Sequence, residues 1–172
     1  MAKIIFITGG ARSGKSRLAE SIAHNFGAPL CYIATGHAGD TEMAERIAAH
    51  RARRGDIWRT AEEPLELART ITIHDGQYSA ILVDCVTLWI TNLLLLHNDP
   101  GLVLKEVRDL ANLFPGLKTH LILVSNEVGM GIVPENALAR TFRDLAGEVN
   151  EILAEAADEV HVVFSGIPLR LK

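Results

Sequence analysis

The sequence predicts an α/β domain in which a mostly parallel sheet carries helices on both faces. Short, continuous apolar runs rich in Val, Ile and Leu recur along the chain, which is typical of strands buried on both sides. Segments with a helical period separate these runs, and parallel strands need connections of that kind. No repeat, linker or low-complexity tract interrupts the alternation. We therefore expect residues 1–172 to form a single domain.

In the first half of the chain, strands are expected at residues 3–8 and 30–34, with a helix at residues 17–23 between them. Asp40 or Thr41 can cap a further helix that Gly55 closes. Thr60 and Glu63 have the spacing of a capping box, which predicts a short helix over residues 65–71.

The second half continues the same alternation. Strands are expected at residues 80–83, 120–124 and 160–164, and residues 165–168 turn into a short last strand. Helices are expected at residues 86–97 and 102–114 and after Pro134. The last of these has the clearest apolar period, carried by Leu138, Phe142, Leu145 and Val149.

Composition restricts the function classes. The chain has 48% hydrophobic and 22% charged residues, and 17 basic against 21 acidic residues give a net charge of −4. This balance argues against nucleic acid or an anionic membrane as the main partner. The most apolar stretch, residues 81–96, contains Asp84 and is too short to span a bilayer. Without a signal-peptide pattern, and with Cys31 and Cys85 in or beside apolar runs, we expect a cytoplasmic protein.

The most informative motif is GGARSGKS, which fits the phosphate-binding loop pattern G-x-x-x-x-G-K-[ST] between a strand and a helix. Backbone N–H groups of such a loop, together with the helix N-terminus, surround phosphate oxygens. Lys15 would reach the β- and γ-phosphates, and the Ser16 hydroxyl would bind Mg²⁺. The sequence thus predicts a nucleotide site formed by Gly9, Gly10, Ala11, Arg12, Ser13, Gly14, Lys15 and Ser16.

Ligands of open α/β sheets bind at the carboxyl ends of the strands, so the residues that follow each strand are candidates. Asp84 follows an apolar strand and could complete a Mg²⁺ site with Ser16, although it could instead cap the next helix. Glu127 could polarise a substrate hydroxyl or bind metal, and Asn126 is a candidate of no greater strength. These alternatives stay open.

A second segment, DTEMAERIAAHRARRG at residues 40–55, places Met43, Ile47 and His50 on one helical face. One interpretation is a basic last turn that complements the helix dipole, with His50 an ordinary surface residue. The other is a histidine nucleophile among arginines that neutralise a polyphosphate.

With these segments assembled, the chain resembles the bifunctional adenosylcobinamide kinase / adenosylcobinamide-phosphate guanylyltransferase family of cobalamin biosynthesis. The resemblance covers nearly the whole chain. Its most specific part is VSNEVGMGIVPENALARTFRDLAGEVN at residues 124–150. Further matching segments are GGARSGKSRLAE, YIAT, ERIAAHRARRG, WRTAEEP, TNLL, AADEV and SGIP.

The resemblance implies a recombinase-like P-loop NTPase fold that assembles as a homotrimer. It implies that GTP (or ATP) with Mg²⁺ phosphorylates adenosylcobinamide, and that GTP then guanylylates a histidine, which passes GMP to adenosylcobinamide phosphate. His50 matches that histidine. The family pattern further places GTP against Ala34, Thr35, Gly36, Arg51, Ala52, Arg53, Arg54, Glu62 and Asp84.

Some assignments remain open within this resemblance. The Glu62 carboxylate could accept hydrogen bonds from the two adjacent N–H groups of guanine, and Glu63 could do so instead. Residues 129–132 are the one local suggestion for the corrinoid pocket. Two other functions compete: a plain small-molecule kinase in which His50 is structural, and a recombinase-like ATPase acting on a macromolecule. The net charge of −4 and the 5% aromatic content argue against the second.

Overall fold

The structure is a computed structural model that describes residues 1–36 and 55–172. The helix predicted between Asp40 or Thr41 and Gly55 lies almost wholly outside the described residues. His50, Arg51, Ala52, Arg53 and Arg54 lie there with it.

The described residues form one seven-stranded sheet in the order β3-β2-β4-β5-β1-β6-β7. All neighbouring strands pair in parallel except β6 and β7, which are antiparallel. The strands are β1 (Ile4–Gly9), β2 (Leu30–Ala34), β3 (Trp58–Glu62), β4 (Ala80–Asp84), β5 (His120–Val124), β6 (Glu159–Phe164) and β7 (Ile167–Arg170). The helices are α1 (Lys15–His24), α2 (Leu67–His74), α3 (Val86–His97), α4 (Pro100–Leu113) and α5 (Ala137–Ala156), and a 3-10 turn follows α4 at Phe114–Gly116.

Helices cover both faces of the sheet, as predicted. Alternate residues of β1 point to opposite sides, so that Ile4 and Phe6 join one apolar cluster while Ile5 and Ile7 join the other. Helices α2 to α5 pack in the first cluster, where Trp89 is fully buried, and α1 packs in the second through Ala19 and Ala23. Within the described residues, no helix is both long and apolar enough to cross a membrane.

The predicted capping box at Thr60 and Glu63 is wrong. Thr60 lies inside β3 and pairs with Tyr32 of β2, so it cannot be a helix cap. The strand was missed because β3 is a polar edge strand in which Trp58 alone is buried, and it therefore lacks the apolar run of the central strands. Glu63 does stabilise the turn before α2, because its Oε1 accepts hydrogen bonds from the backbone N–H groups of Leu65 and Glu66.

The strand register brings the candidate residues to one edge of the sheet. Ala34 at the end of β2 pairs with Glu62 on one side and with Asp84 on the other. Asp84 in turn pairs with Val124 at the end of β5. The phosphate-binding loop leaves β1 beside β5, and the residues after these strands therefore surround a common space.

Candidate active site

The phosphate-binding loop requires glycine at two positions. Gly9 has a φ of 143°, and a Cβ there would collide with the carbonyl oxygen of Val163 in β6. Gly14 has a φ of 102° and occupies the N-cap of α1, where a side chain would be strained. The two glycines let the loop pack closely on β6 and turn directly into α1, whose first N–H groups suit phosphate oxygens.

Backbone hydrogen bonds attach this loop to its surroundings. The N–H of Gly166, in the turn between β6 and β7, donates to the carbonyl of Ser13 at 2.8 Å. The N–H of Glu127 donates to the carbonyl of Gly9 at 2.9 Å. The loop is thereby fixed to the turn after β6 and to the segment after β5.

A cavity of about 460 Å³ opens beside the loop. Predicted candidates from three separate segments meet in its wall, which consists of Arg12, Lys15, Ser16, Asp84, Cys85, Val124 and Asn126. Cys85 and Val124 were not among the predicted site residues. Their positions next to Asp84 and at the end of β5 are the signal that could have identified them.

Lys15 supplies a buried positive charge to this cavity. Its Nζ donates to the carbonyl of Gly10 at 2.6 Å and lies 3.5 Å from Ser13 Oγ. Burial lowers the pKa of Lys15, and the negative charge of Asp84 acts in the opposite direction. A buried ammonium group of this kind has a strong electrostatic preference for a polyphosphate.

The residues present fit a Mg²⁺ ion. The Ser16 hydroxyl and the Asp84 carboxylate line the same cavity and would offer the hard oxygen donors that Mg²⁺ prefers. Among the described residues, no group of three or more His, Cys, Asp or Glu side chains could hold a metal ion. The N-cap of α3 is Cys85 and not Asp84, which removes the alternative role for Asp84 as a helix cap.

A buried polar network holds the segment after β5. The N–H of Asn126 donates to Thr87 Oγ1 at 2.7 Å, and Asn150 Nδ2 donates to the carbonyl of Asn126 at 3.2 Å. Ser125 Oγ joins Thr87 and Asn150 at 3.3 and 2.6 Å. The network fixes the backbone of Asn126, whose side chain lines the cavity. Glu127 Oε1 accepts a hydrogen bond from the backbone N–H of Gly129 in the same loop.

The other predicted site residues lie at neighbouring strand ends. Ala34 is the last residue of β2, and Thr35 and Gly36 follow it; Thr35 is fully buried. Glu62 ends β3 and is exposed. Residues 129–132 form an exposed loop, in which Ile132 is 97% exposed.

Comparison with solved structures supports the fold. A KaiC-like protein from Pyrococcus horikoshii superposes with a TM-score of 0.54 at 12% sequence identity, covering 93% of this chain and 70% of that chain. The predicted recombinase-like P-loop fold is confirmed.

Comparison with characterised sequences identifies the family. The bifunctional adenosylcobalamin biosynthesis protein CobP of Pseudomonas aeruginosa is 49% identical over 96% of this chain and 95% of its own length. The proteins named CobU of Salmonella typhimurium and Escherichia coli are 46% and 42% identical, each over 98% of this chain and 99% of their own length.

The family profile described as cobinamide kinase / cobinamide phosphate guanyltransferase matches residues 5–171. A phosphate-binding loop, a buried lysine and an aspartate at the carboxyl end of a nearby strand are the parts that a kinase of this fold needs. The chain therefore belongs to the cobinamide kinase / cobinamide phosphate guanyltransferase family, the bifunctional enzymes of adenosylcobalamin biosynthesis.

Proposed function

We propose that this chain phosphorylates adenosylcobinamide with a nucleoside triphosphate and then transfers GMP from GTP, through guanylyl-His50, to adenosylcobinamide phosphate. The product is adenosyl-GDP-cobinamide. The observation that carries the proposal is the meeting of Lys15, Ser16 and Asp84 in one cavity, in a chain that matches the family over residues 5–171.

In the kinase reaction, the aminopropanol hydroxyl oxygen attacks the γ-phosphorus, the bond to the β-phosphate oxygen breaks, and the hydroxyl proton is released. The loop N–H groups and Lys15 bind the β- and γ-phosphates and stabilise the charge that develops in the transition state. Ser16 and Asp84 would hold Mg²⁺, which supplies further charge neutralisation when bound. Asn126 lines the same cavity and would orient one of the reacting oxygens.

In the guanylyl transfer, the neutral imidazole of His50 attacks the α-phosphorus of GTP, and the bond to the pyrophosphate oxygen breaks. A phosphate oxygen of adenosylcobinamide phosphate then attacks the same phosphorus and releases His50. Arg51, Arg53 and Arg54 would neutralise the triphosphate charge.

Glu62 is the carboxylate that the family pattern places against GTP, and we propose that it binds the guanine base. Glu63 stabilises the turn before α2 by accepting hydrogen bonds from Leu65, Glu66 and Thr70. Glu62 is exposed at the carboxyl end of β3, where it pairs with Ala34 of β2. Ala34, Thr35 and Gly36 would then contact the same nucleotide.

Assembly and location complete the proposal. A homotrimer would cover apolar surface such as Leu95 and Leu96 at the end of α3. These side chains are 70% and 60% exposed, whereas the earlier part of that helix belongs to the core.

Cys31 and Cys85 are both free and buried, in keeping with a reducing, cytoplasmic location.

The test uses GTP labelled at either the α- or the γ-phosphate, followed by denaturing electrophoresis of the protein. We expect label from the α-phosphate alone, in a phosphoramidate that is labile in acid and stable in base. A parallel assay follows phosphate transfer from γ-labelled ATP or GTP to adenosylcobinamide. Kinase activity without α-label would favour the plain kinase, and hydrolysis without corrinoid phosphorylation would favour the ATPase.

A further inference from the structure

Asn92, in the TNLL segment of α3, joins two strand ends that are distant in sequence. Its Nδ2 donates a 2.9 Å hydrogen bond to the carbonyl oxygen of Thr35, immediately after β2. The same nitrogen donates a 3.1 Å hydrogen bond to the carbonyl oxygen of Pro64, two residues after the end of β3. One amide group therefore connects the segments that carry Gly36 and Glu62.

The chemistry of the two acceptors fixes the orientation of this amide. Both partners are backbone carbonyl oxygens, which only accept hydrogen bonds, so the NH₂ group and not the amide oxygen must face them. A carboxylate or an aliphatic side chain at this position could donate to neither. The arrangement is consequently specific to a side chain with two N–H donors at this distance.

Thr35 extends the connection to the end of β4. Its Oγ1 donates to the carbonyl of Cys85 at 2.7 Å and accepts from the N–H of Cys85 at 2.9 Å. Cys85 is adjacent to Asp84 and lines the phosphate cavity. The side chains of Thr35 and Asn92 together hold the ends of β2, β3 and β4 against one another, and neither side chain needs to contact the nucleotide.

We propose that Asn92 is a positioning residue for guanylyl transfer, which sets the spacing between the segment after β2 and the guanine-binding end of β3. The inference rests on the proposed function, because it assumes that Ala34–Gly36 and Glu62 contact GTP. The loop that carries Lys15 and Ser16 is held by other hydrogen bonds, from Gly166 to Ser13 and from Glu127 to Gly9. Loss of the Asn92 amide therefore disturbs recognition of the guanosine part of GTP more than phosphate binding.

The test compares Asn92→Asp with wild-type protein in two assays on the full chain. In the first, single-turnover labelling from α-labelled GTP gives the maximal rate and the GTP concentration for half-maximal rate. We expect that concentration to rise about tenfold in the variant, with a smaller change in the maximal rate. In the second, the efficiency of ATP-dependent phosphorylation of adenosylcobinamide should stay within about threefold of wild type.

The matched control is Thr91→Val, which removes a neighbouring hydrogen bond within α3, from Thr91 Oγ1 to the carbonyl of Thr87. We expect its GTP dependence to match wild type. If Asn92→Asp does not fold, Asn92→Ser serves instead, because its short hydroxyl cannot reach both carbonyl oxygens.

If the wild-type protein takes up α-label and the Asn92 variant shows the same GTP dependence, this inference is overturned and the proposed function stays intact. An equal loss in both assays would also overturn it. A wild-type protein that takes up no α-label would overturn the proposed function, and this inference with it.

Discussion

Lys15 Nζ donates a 2.6 Å hydrogen bond to the carbonyl oxygen of Gly10, so that the side chain lies back across the loop formed by its own motif. The side chain is buried, with 6% of the residue exposed, and burial lowers its pKa while the charge of Asp84 opposes that change. The phosphate-binding loop thus keeps its cation inside the cavity, on the side that a triphosphate would occupy.

Lys15→Ala should abolish detectable triphosphate binding and both reactions. Removal of a buried charge contact to phosphate costs a few kcal/mol, which corresponds to a loss of affinity on the order of 10²-fold or more. Titration calorimetry with GTP measures the effect, and Arg17→Ala is the control, because Arg17 is exposed and does not line the cavity. Wild-type affinity in Lys15→Ala would refute the assignment of residues 9–16.

Asp84→Asn should lose Mg²⁺-dependent turnover and keep the fold. The substitution preserves the shape of the side chain and removes only its negative charge, which would bind the metal. We expect the kinase rate to fall on the order of 10²-fold, with partial recovery at high Mg²⁺. The measurement is the kinase rate over a Mg²⁺ series, with the exposed Asp109→Asn on α4 as control. Normal turnover of Asp84→Asn at low Mg²⁺ would place the metal ligand elsewhere.

The phosphate-binding loop and the residues at the strand ends could be predicted because their signals are local. A glycine motif between an apolar strand and a helix specifies its own geometry, and parallel strands align their carboxyl ends. Asp84 and Asn126 were found in this way, and both line the cavity.

The supporting contacts could not be predicted, since they join residues far apart in sequence. Asn92 and Thr35 are 57 positions apart, and Thr87 contacts Asn126 across 39 positions. No local pattern marks such partners. Strand β3 was missed for a different reason: its exposed edge position permits polar residues, and Thr60 with Glu63 then imitates a helix cap.

Glu159 should make the stability of the protein depend on acid pH. It forms ion pairs with Lys3 and Arg170, and its Oε1 lies 2.6 Å from His161 Nε2. Burial raises the pKa of Glu159, but hydrogen bonds from Lys3 and His161 and the nearby positive charges outweigh burial and lower it. Because the folded-state pKa is lowered, this contribution is complete above the unfolded value of about 4.3 and is lost as pH falls through the folded value.

Glu159→Gln should accordingly reduce the free energy of unfolding by about 1–2 kcal/mol at neutral pH. The difference from wild type should begin to shrink as the pH falls below the unfolded value of about 4.3, and it should disappear once the pH has fallen through the lowered folded-state pKa. Urea unfolding across this range measures it, with the exposed Glu155→Gln as control. A difference that stays constant with pH would show that the Glu159 charge does not contribute.

His50→Asn should abolish self-guanylylation and GMP transfer while kinase activity survives at least in part. The substitution keeps polarity and approximate size but removes the nucleophilic nitrogen. Direct phosphoryl transfer needs the loop, the metal and a positioned hydroxyl, and it passes through no covalent intermediate. The measurements are label uptake from α-labelled GTP and phosphorylation of adenosylcobinamide by the same preparation. His97→Asn, at the end of α3, is the control and should be labelled like wild type. If His50→Asn still takes up label, His50 is not the attacking residue, and His37, two residues after Thr35, becomes the next candidate.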